Sequence, residues 1–301
     1  VRKVRDEPVS LVGNTAATFA ASCVTGWPAQ LRAFRTTSPS RVLARSIAIL
    51  AVAVPVVLSS TSAHATNFQD LWWNPAESGW GVNIAQQADT LFATWFIYGP
   101  NREPYWVVMP GTTRLNSGPN VYRGDIFQTR GTPFATVPFV PITEVTNVGS
   151  ATFSFADAKV GTLTYTINGQ SVTKSISRQV IVPINPAGTY YGGLRRDSAG
   201  CSNNTNNGSR LDQSIYVVAT VPPNNISITE VGSDGCRFAG TWTQYGSIFE
   251  ASGNYACAGF SGAWVGTEGT LGESTLSLKL RLTRSDETCV ITGGIGGFRP
   301  S

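Results

Sequence analysis

Cys236-Arg-Phe-Ala-Gly-Thr-Trp-Thr-Gln-Tyr245-Gly246-Ser247-Ile248-Phe-Glu-Ala-Ser-Gly-Asn-Tyr-Ala-Cys257 spells out a β-hairpin closed at its open end by sulfur. A two-residue turn at Gly246-Ser247 sets Tyr245 opposite Ile248, and the numbers of paired residues then total 493. Cys236 and Cys257 meet the same condition, so they face each other. Their position is non-hydrogen-bonded, where Cα atoms lie about 4.5 Å apart, within disulfide range. The same register puts Phe238 beside Tyr255 and Trp242 beside Ala251 on one face. Arg237/Ala256, Thr241/Ser252 and Thr243/Glu250 occupy the other. One apolar and one polar face is what a half-buried antiparallel sheet requires.

Working outward, the other late cysteines are Cys201 and Cys289. With Cys236–Cys257 assigned, Cys201–Cys289 remains. Cys201 follows the first strand of the second half and Cys289 opens the last, so this bridge would lock the seam of a closed meander. It closes a loop of nearly 90 residues, worth about 4–5 kcal/mol if loop entropy is the main effect. A zinc site would need closely spaced ligand pairs, which these cysteines lack. No metal and no cofactor is expected.

The rest of the chain reads as strands. Thirty-one glycines and 17 prolines break it into short runs rich in Val, Ile, Thr and aromatics. In the first half these are Phe68–Trp73, Gly79–Gln87, Thr90–Tyr98, Pro104–Pro110, Asn120–Thr129, Ala151–Ala156, Gly161–Ile167 and Ser171–Ile181. The second half offers Gly188–Leu194, Asp212–Thr220, Asn225–Val231, Cys236–Gln244, Ile248–Cys257, Gly262–Gly269, Thr275–Thr283 and Cys289–Phe298. Between them, Val182-Pro-Ile-Asn-Pro-Ala-Gly188 reads as a linker. The expected fold is all-β: two tandem antiparallel meander barrels of about eight strands, over 66–183 and 184–301. One larger β-sandwich is the rival. Asp197–Asp212, rich in Asn and Ser, reads as a mobile solvated loop.

Residues 1–65 read as a secretory leader. Arg41 and Arg45 flank the apolar run Ile47 to Leu58, and Ala63-His64-Ala65 supplies small residues for cleavage. The run falls short of the roughly 20 residues that span a bilayer; an uncleaved anchor is the competing reading. The residues before Arg41 read as an overextended start or a long basic extension. Cleavage after Ala65 removes Cys23 and the sole histidine, His64. Seven of the 22 basic and two of the 18 acidic residues precede residue 66, leaving 15 against 16. No basic surface for nucleic acid is expected, and no membrane-spanning helix. The expected compartment is periplasmic or extracellular.

The most distinctive words are Leu71-Trp72-Trp73-Asn74-Pro75-Ala76-Glu77-Ser78-Gly79-Trp80-Gly81-Val82-Asn83, followed by Pro104-Tyr105-Trp106. This stretch resembles a W-N-P-x-E-S-G-W-G pattern of uncharacterised secreted proteobacterial proteins, which implies an exported protein and no particular activity. Gly188-Thr-Tyr-Tyr-Gly192 and Gly240-Thr-Trp242 are similar to strand openings of avidin- and lipocalin-like barrels, which implies a barrel shape. Two uses of the tryptophans stay open. They fill the barrel core, or Trp72, Trp73 and Trp106 form a rim platform with Asn74, Glu77 and Asn83 as hydrogen-bonding partners for a ligand.

Without histidine, triad and histidine–zinc chemistry fall away. Ser171-Val-Thr-Lys174 spells the serine–lysine word S-x-x-K, but residues three apart on a strand point to opposite faces. Gly293-Gly-Ile-Gly-Gly297 precedes no helix, so it reads as close strand packing and not as a phosphate loop. The leading expectation is an exported, non-catalytic protein that recognises a small molecule, glycan or protein surface through exposed aromatics. A carboxylate hydrolase of an extracellular polymer, with Glu77 as one acid, and a structural envelope module are the alternatives.

Overall fold

The computed structural model describes residues 66–115, 120–141, 144–232 and 235–300. The leader reading, His64 and Cys23 lie outside them. Among the described residues, sixteen strands make two closed antiparallel barrels of eight. The first holds β1 (Asp70–Trp73), β2 (Gly81–Gln87), β3 (Thr90–Tyr98), β4 (Pro104–Arg114), β5 (Val121–Arg130), β6 (Glu144–Phe155), β7 (Val160–Ile167) and β8 (Gln170–Arg178). The second holds β9 (Gly188–Ala199), β10 (Gly208–Val221), β11 (Asn225–Val231), β12 (Arg237–Tyr245), β13 (Ile248–Cys257), β14 (Phe260–Leu271), β15 (Thr275–Arg284) and β16 (Val290–Phe298). Each is a simple meander whose first and last strands pair, β1 with β8 and β9 with β16. Closure leaves no sheet edge, and the sandwich alternative is set aside.

The β12–β13 ladder has the expected register from Arg237↔Ala256 to Tyr245↔Ile248. Cys236–Cys257 and Cys201–Cys289 are bridged, with Cα separations of 4.0 and 3.9 Å. In the first barrel Val82 faces Trp95 and Ile84 faces Ala93, and the ladder runs from Gln87↔Thr90 to Gly81↔Phe96.

Alternation along each strand fills both interiors. In barrel 1, the Phe68 and Phe155 rings stack at 3.9 Å, and Phe153 continues the stack towards Trp95. This aromatic column holds a barrel without a disulfide. In barrel 2, Phe238 meets Trp264 edge to face, and the Trp264 indole donates to the Ala239 carbonyl at 3.1 Å. Glycines allow the strands of the closing seam to approach: a Cβ on Gly293 would lie 1.8 Å from the Arg195 carbonyl oxygen.

Two expectations need correction. Half of the segment 197–212 is sheet, because β9 runs to Ala199 and β10 starts at Gly208. Between them, 200–207 forms a short turn tied down by Glu287, which accepts from the Asn203 backbone, the Asn206 amide and the Ser202 hydroxyl. Residues 202–211 are exposed, as that reading expects; what it left out is the strand ends and the hold that this carboxylate and the Cys201–Cys289 bridge have on the segment. Strand β6 begins at Glu144, well before Ala151, since its first residues are exposed and carry no alternation.

Both barrels belong to one compact unit. The Gly246-Ser247 turn meets the end of barrel 1 where β1 begins and β8 ends. Asp70 accepts from the Ser247 backbone at 2.8 Å and its hydroxyl at 2.9 Å. Asp70 also pairs at 2.8 Å with Arg178, whose side chain is 1 % exposed. Lys159 pairs with Glu250 at 2.8 Å. Because connections of a meander alternate between ends, this contact defines a proximal end for each barrel. The distal end of barrel 1 carries residues 74–80 and 99–103 and the β5–β6 connection. The distal end of barrel 2 carries both disulfides.

Candidate functional site

The Trp72–Asn83 stretch closes the seam of barrel 1 and reaches its distal mouth. Trp72 sits on the inward face of β1 and is fully buried. Its indole donates to the Phe68 carbonyl at 2.9 Å, and the Arg178 guanidinium lies over its ring. Trp72 therefore belongs to the core and is not part of a platform: strand alternation turns it inward, and its N–H is already used. Trp73, the next residue, is half-buried at the Ser177 pairing position.

Asn74 ends the strand. Its side chain accepts from the Ala76 backbone at 3.0 Å, and its carbonyl accepts from Glu77 at 2.9 Å, forming an Asx-type turn ahead of Gly79. This occupies Asn74 with local structure. Glu77 accepts from the Trp80 indole at 2.9 Å and from the Lys174 ammonium. Lys174 points to the interior side of β8 and stands over the Trp80 ring, 5.1 Å from its centroid. The hydrogen bond from Lys174, then that from Trp80, holds the Glu77 carboxyl below its ordinary pKa. Glu77, Trp80 and Lys174 thus form a latch that carries the 74–80 loop across the barrel mouth. Asn83 is exposed on the outer face of β2.

The exposed aromatics lie elsewhere on the same barrel. Phe96, Tyr98 and Trp106 are 44, 61 and 52 % exposed. Phe96 and Trp106 are directly paired across β3 and β4, and Tyr98 is two residues further along the same face. The Phe96 ring crosses β2 at Gly81, where a Cβ would come within 2.6 Å of it. Gly81 is therefore the space in which Phe96 lies. The β5–β6 connection at this end adds Phe134, 98 % exposed, and Phe139. Phe96, Tyr98 and Trp106 stand on the convex outer wall of the barrel.

Of the six residues expected at a platform, the structure brings only Trp106 into an exposed aromatic group. The others are split among core, turn, latch and outer strand face. Phe96 and Tyr98 went unrecognised, although alternation from the inward Trp95 marks both as outward. Lys174 alternates with inward Ile176, the signal that places it opposite Glu77. Ser171 faces out and hydrogen-bonds Thr166, so it is on the opposite face from Lys174.

Among the described residues, the one potential metal-ligating group is Cys201, Glu287 and Cys289. Its two sulfurs are bonded to each other and offer no thiolate. Comparison with protein-family models, with curated proteins and with solved structures finds no match.

Proposed function

We propose that this chain is an exported binding module that recognises an extended partner, a glycan chain or a protein surface, on the outer wall of barrel 1. The observation that carries this reading is the adjacent exposed group Phe96, Tyr98 and Trp106. Large aromatic rings on a convex sheet surface have no folding role that requires water contact, and they are the side chains that dominate recognition surfaces. A convex wall suits a long or flat partner better than an enclosed small molecule.

Two bridged cysteine pairs support an oxidising, exported compartment, in line with the leader. No helix among the described residues is long and apolar enough to cross a membrane. The barrel interiors are aromatic and packed, the reverse of membrane barrels with polar lumens.

The hydrolase reading loses support at its best residue. The general acid of glycoside cleavage needs a raised pKa, whereas Lys174 and Trp80 lower that of Glu77, which removes it from that role and leaves only the ionised partner's role. A purely structural module gives no reason for three neighbouring exposed rings.

The test is a glycan and peptide panel against the chain starting at residue 66, read by tryptophan fluorescence and thermal shift. Trp106→Ala and Phe96→Ala are expected to keep the fold and weaken a panel hit at least tenfold. Unchanged binding by both variants would overturn the platform.

A further inference from the structure

The distal end of barrel 2 carries a separate, half-enclosed cavity of about 520 Å³. Arg196, Arg210 and Arg284 line it, with Ser198, Asn206 and Asn207 on the walls. Among the described residues no carboxylate lines it. Asp212 pairs with Arg196 and Arg210, and Asp286 and Glu287 pair with Arg284. These ion pairs hold the guanidinium groups in place beside a space lined mostly by polar residues.

One further feature favours a ligand there. Phe260 borders the cavity under the Arg284 guanidinium. The wall is held in advance. The Cys201–Cys289 bridge anchors one side, Glu287 fixes Asn203 and Asn206, and the Asn207 side chain accepts from the Cys201 backbone at 3.1 Å. A wall ordered before binding carries no ordering cost on binding.

We propose that this mouth binds a small polar molecule bearing an oxyanion, a carboxylate or a phosphate, with the arginines on the anion and the Asn and Ser groups on neighbouring oxygens. Guanidinium donors in a fixed plane match such oxygens. The site is distinct from the aromatic wall of barrel 1 and does not depend on it.

Calorimetric titration of the full chain with galacturonate, inorganic phosphate and galactose tests this. Galacturonate shares its ring with galactose and its charge with phosphate, so the three arms separate carboxylate, phosphate and neutral hydroxyl recognition. At least one anion is expected to bind ten times more tightly than galactose, and more weakly as salt rises. Arg210→Gln, at a side chain 63 % exposed, is expected to weaken that anion about tenfold with an unchanged melting temperature. The proposal is overturned if neither anion binds, if galactose binds as well as both, or if Arg210→Gln leaves the affinity unchanged.

Discussion

Trp72 and Trp106 share a residue type and have opposite environments. Trp72 is fully buried with its indole bonded, whereas Trp106 is half exposed on the outer wall. The sequence showed that tryptophans cluster, but depth follows from strand phase, and β1 is only four residues long. Phase is legible where a long ladder fixes it, as at Trp95, and not in a short strand entering a turn. Glycine phase was easier to read. In the Gly293-Gly-Ile-Gly-Gly297 run, Gly293 serves close packing, since it has no room for a Cβ beside the Arg195 carbonyl, while Gly296 faces open space. Gly293→Ala is expected to destabilise barrel 2 by about 1–3 kcal/mol, as overpacking does. Thermal unfolding of the variant checks this, and an unchanged midpoint would contradict the seam geometry.

At the scale of elements, the hairpin from Cys236 to Cys257 was the most legible piece. A two-residue turn, a pair of cysteines and alternating faces all select one register, and that register is present. What the hairpin does at its tip was not legible. Asp70, 177 residues away in sequence, accepts from Ser247 there, and nothing local marks such a contact. The hold on the 200–207 turn was missed for a similar reason: its anchor is Glu287, more than 80 residues distant. That anchor makes the turn sensitive to acid. The Asn203 backbone N–H, with Asn206 and Arg284, holds Glu287 below its ordinary pKa, and the Arg284 hydrogen bond does the same for Asp286. A carboxylate lowered in the folded state adds stability that is complete above the unfolded value, about 4, and is lost as pH falls through the folded value. Protection of the 200–207 amides from hydrogen exchange, corrected for intrinsic rate, is therefore expected to hold above about pH 5 and to fall below about pH 4. Protection that stays constant through that range would contradict the role of Glu287.

For the whole molecule, two barrels of the same topology are stabilised differently. Barrel 1 relies on its aromatic column, and barrel 2 has two disulfides at its distal end. The all-β class, strand count and meander order of the two barrels were readable because hairpin periodicity is local. The joining of the barrels through Asp70, Arg178 and Ser247 was not, because it depends on ends meeting. Loss of a native disulfide typically costs about 2–5 kcal/mol. Reduction is therefore expected to lower hydrogen-exchange protection across β9–β16 and leave β1–β8 nearly unchanged; equal loss in both barrels would contradict separate cores. The central claim, recognition on the outer wall of barrel 1, is tested most directly by oxidative footprinting with the strongest glycan or peptide hit bound. Phe96, Tyr98 and Trp106 are expected to become protected together, with Trp72 unreactive in both states. Protection confined to other surfaces, with those three rings as reactive as in the free protein, would contradict it.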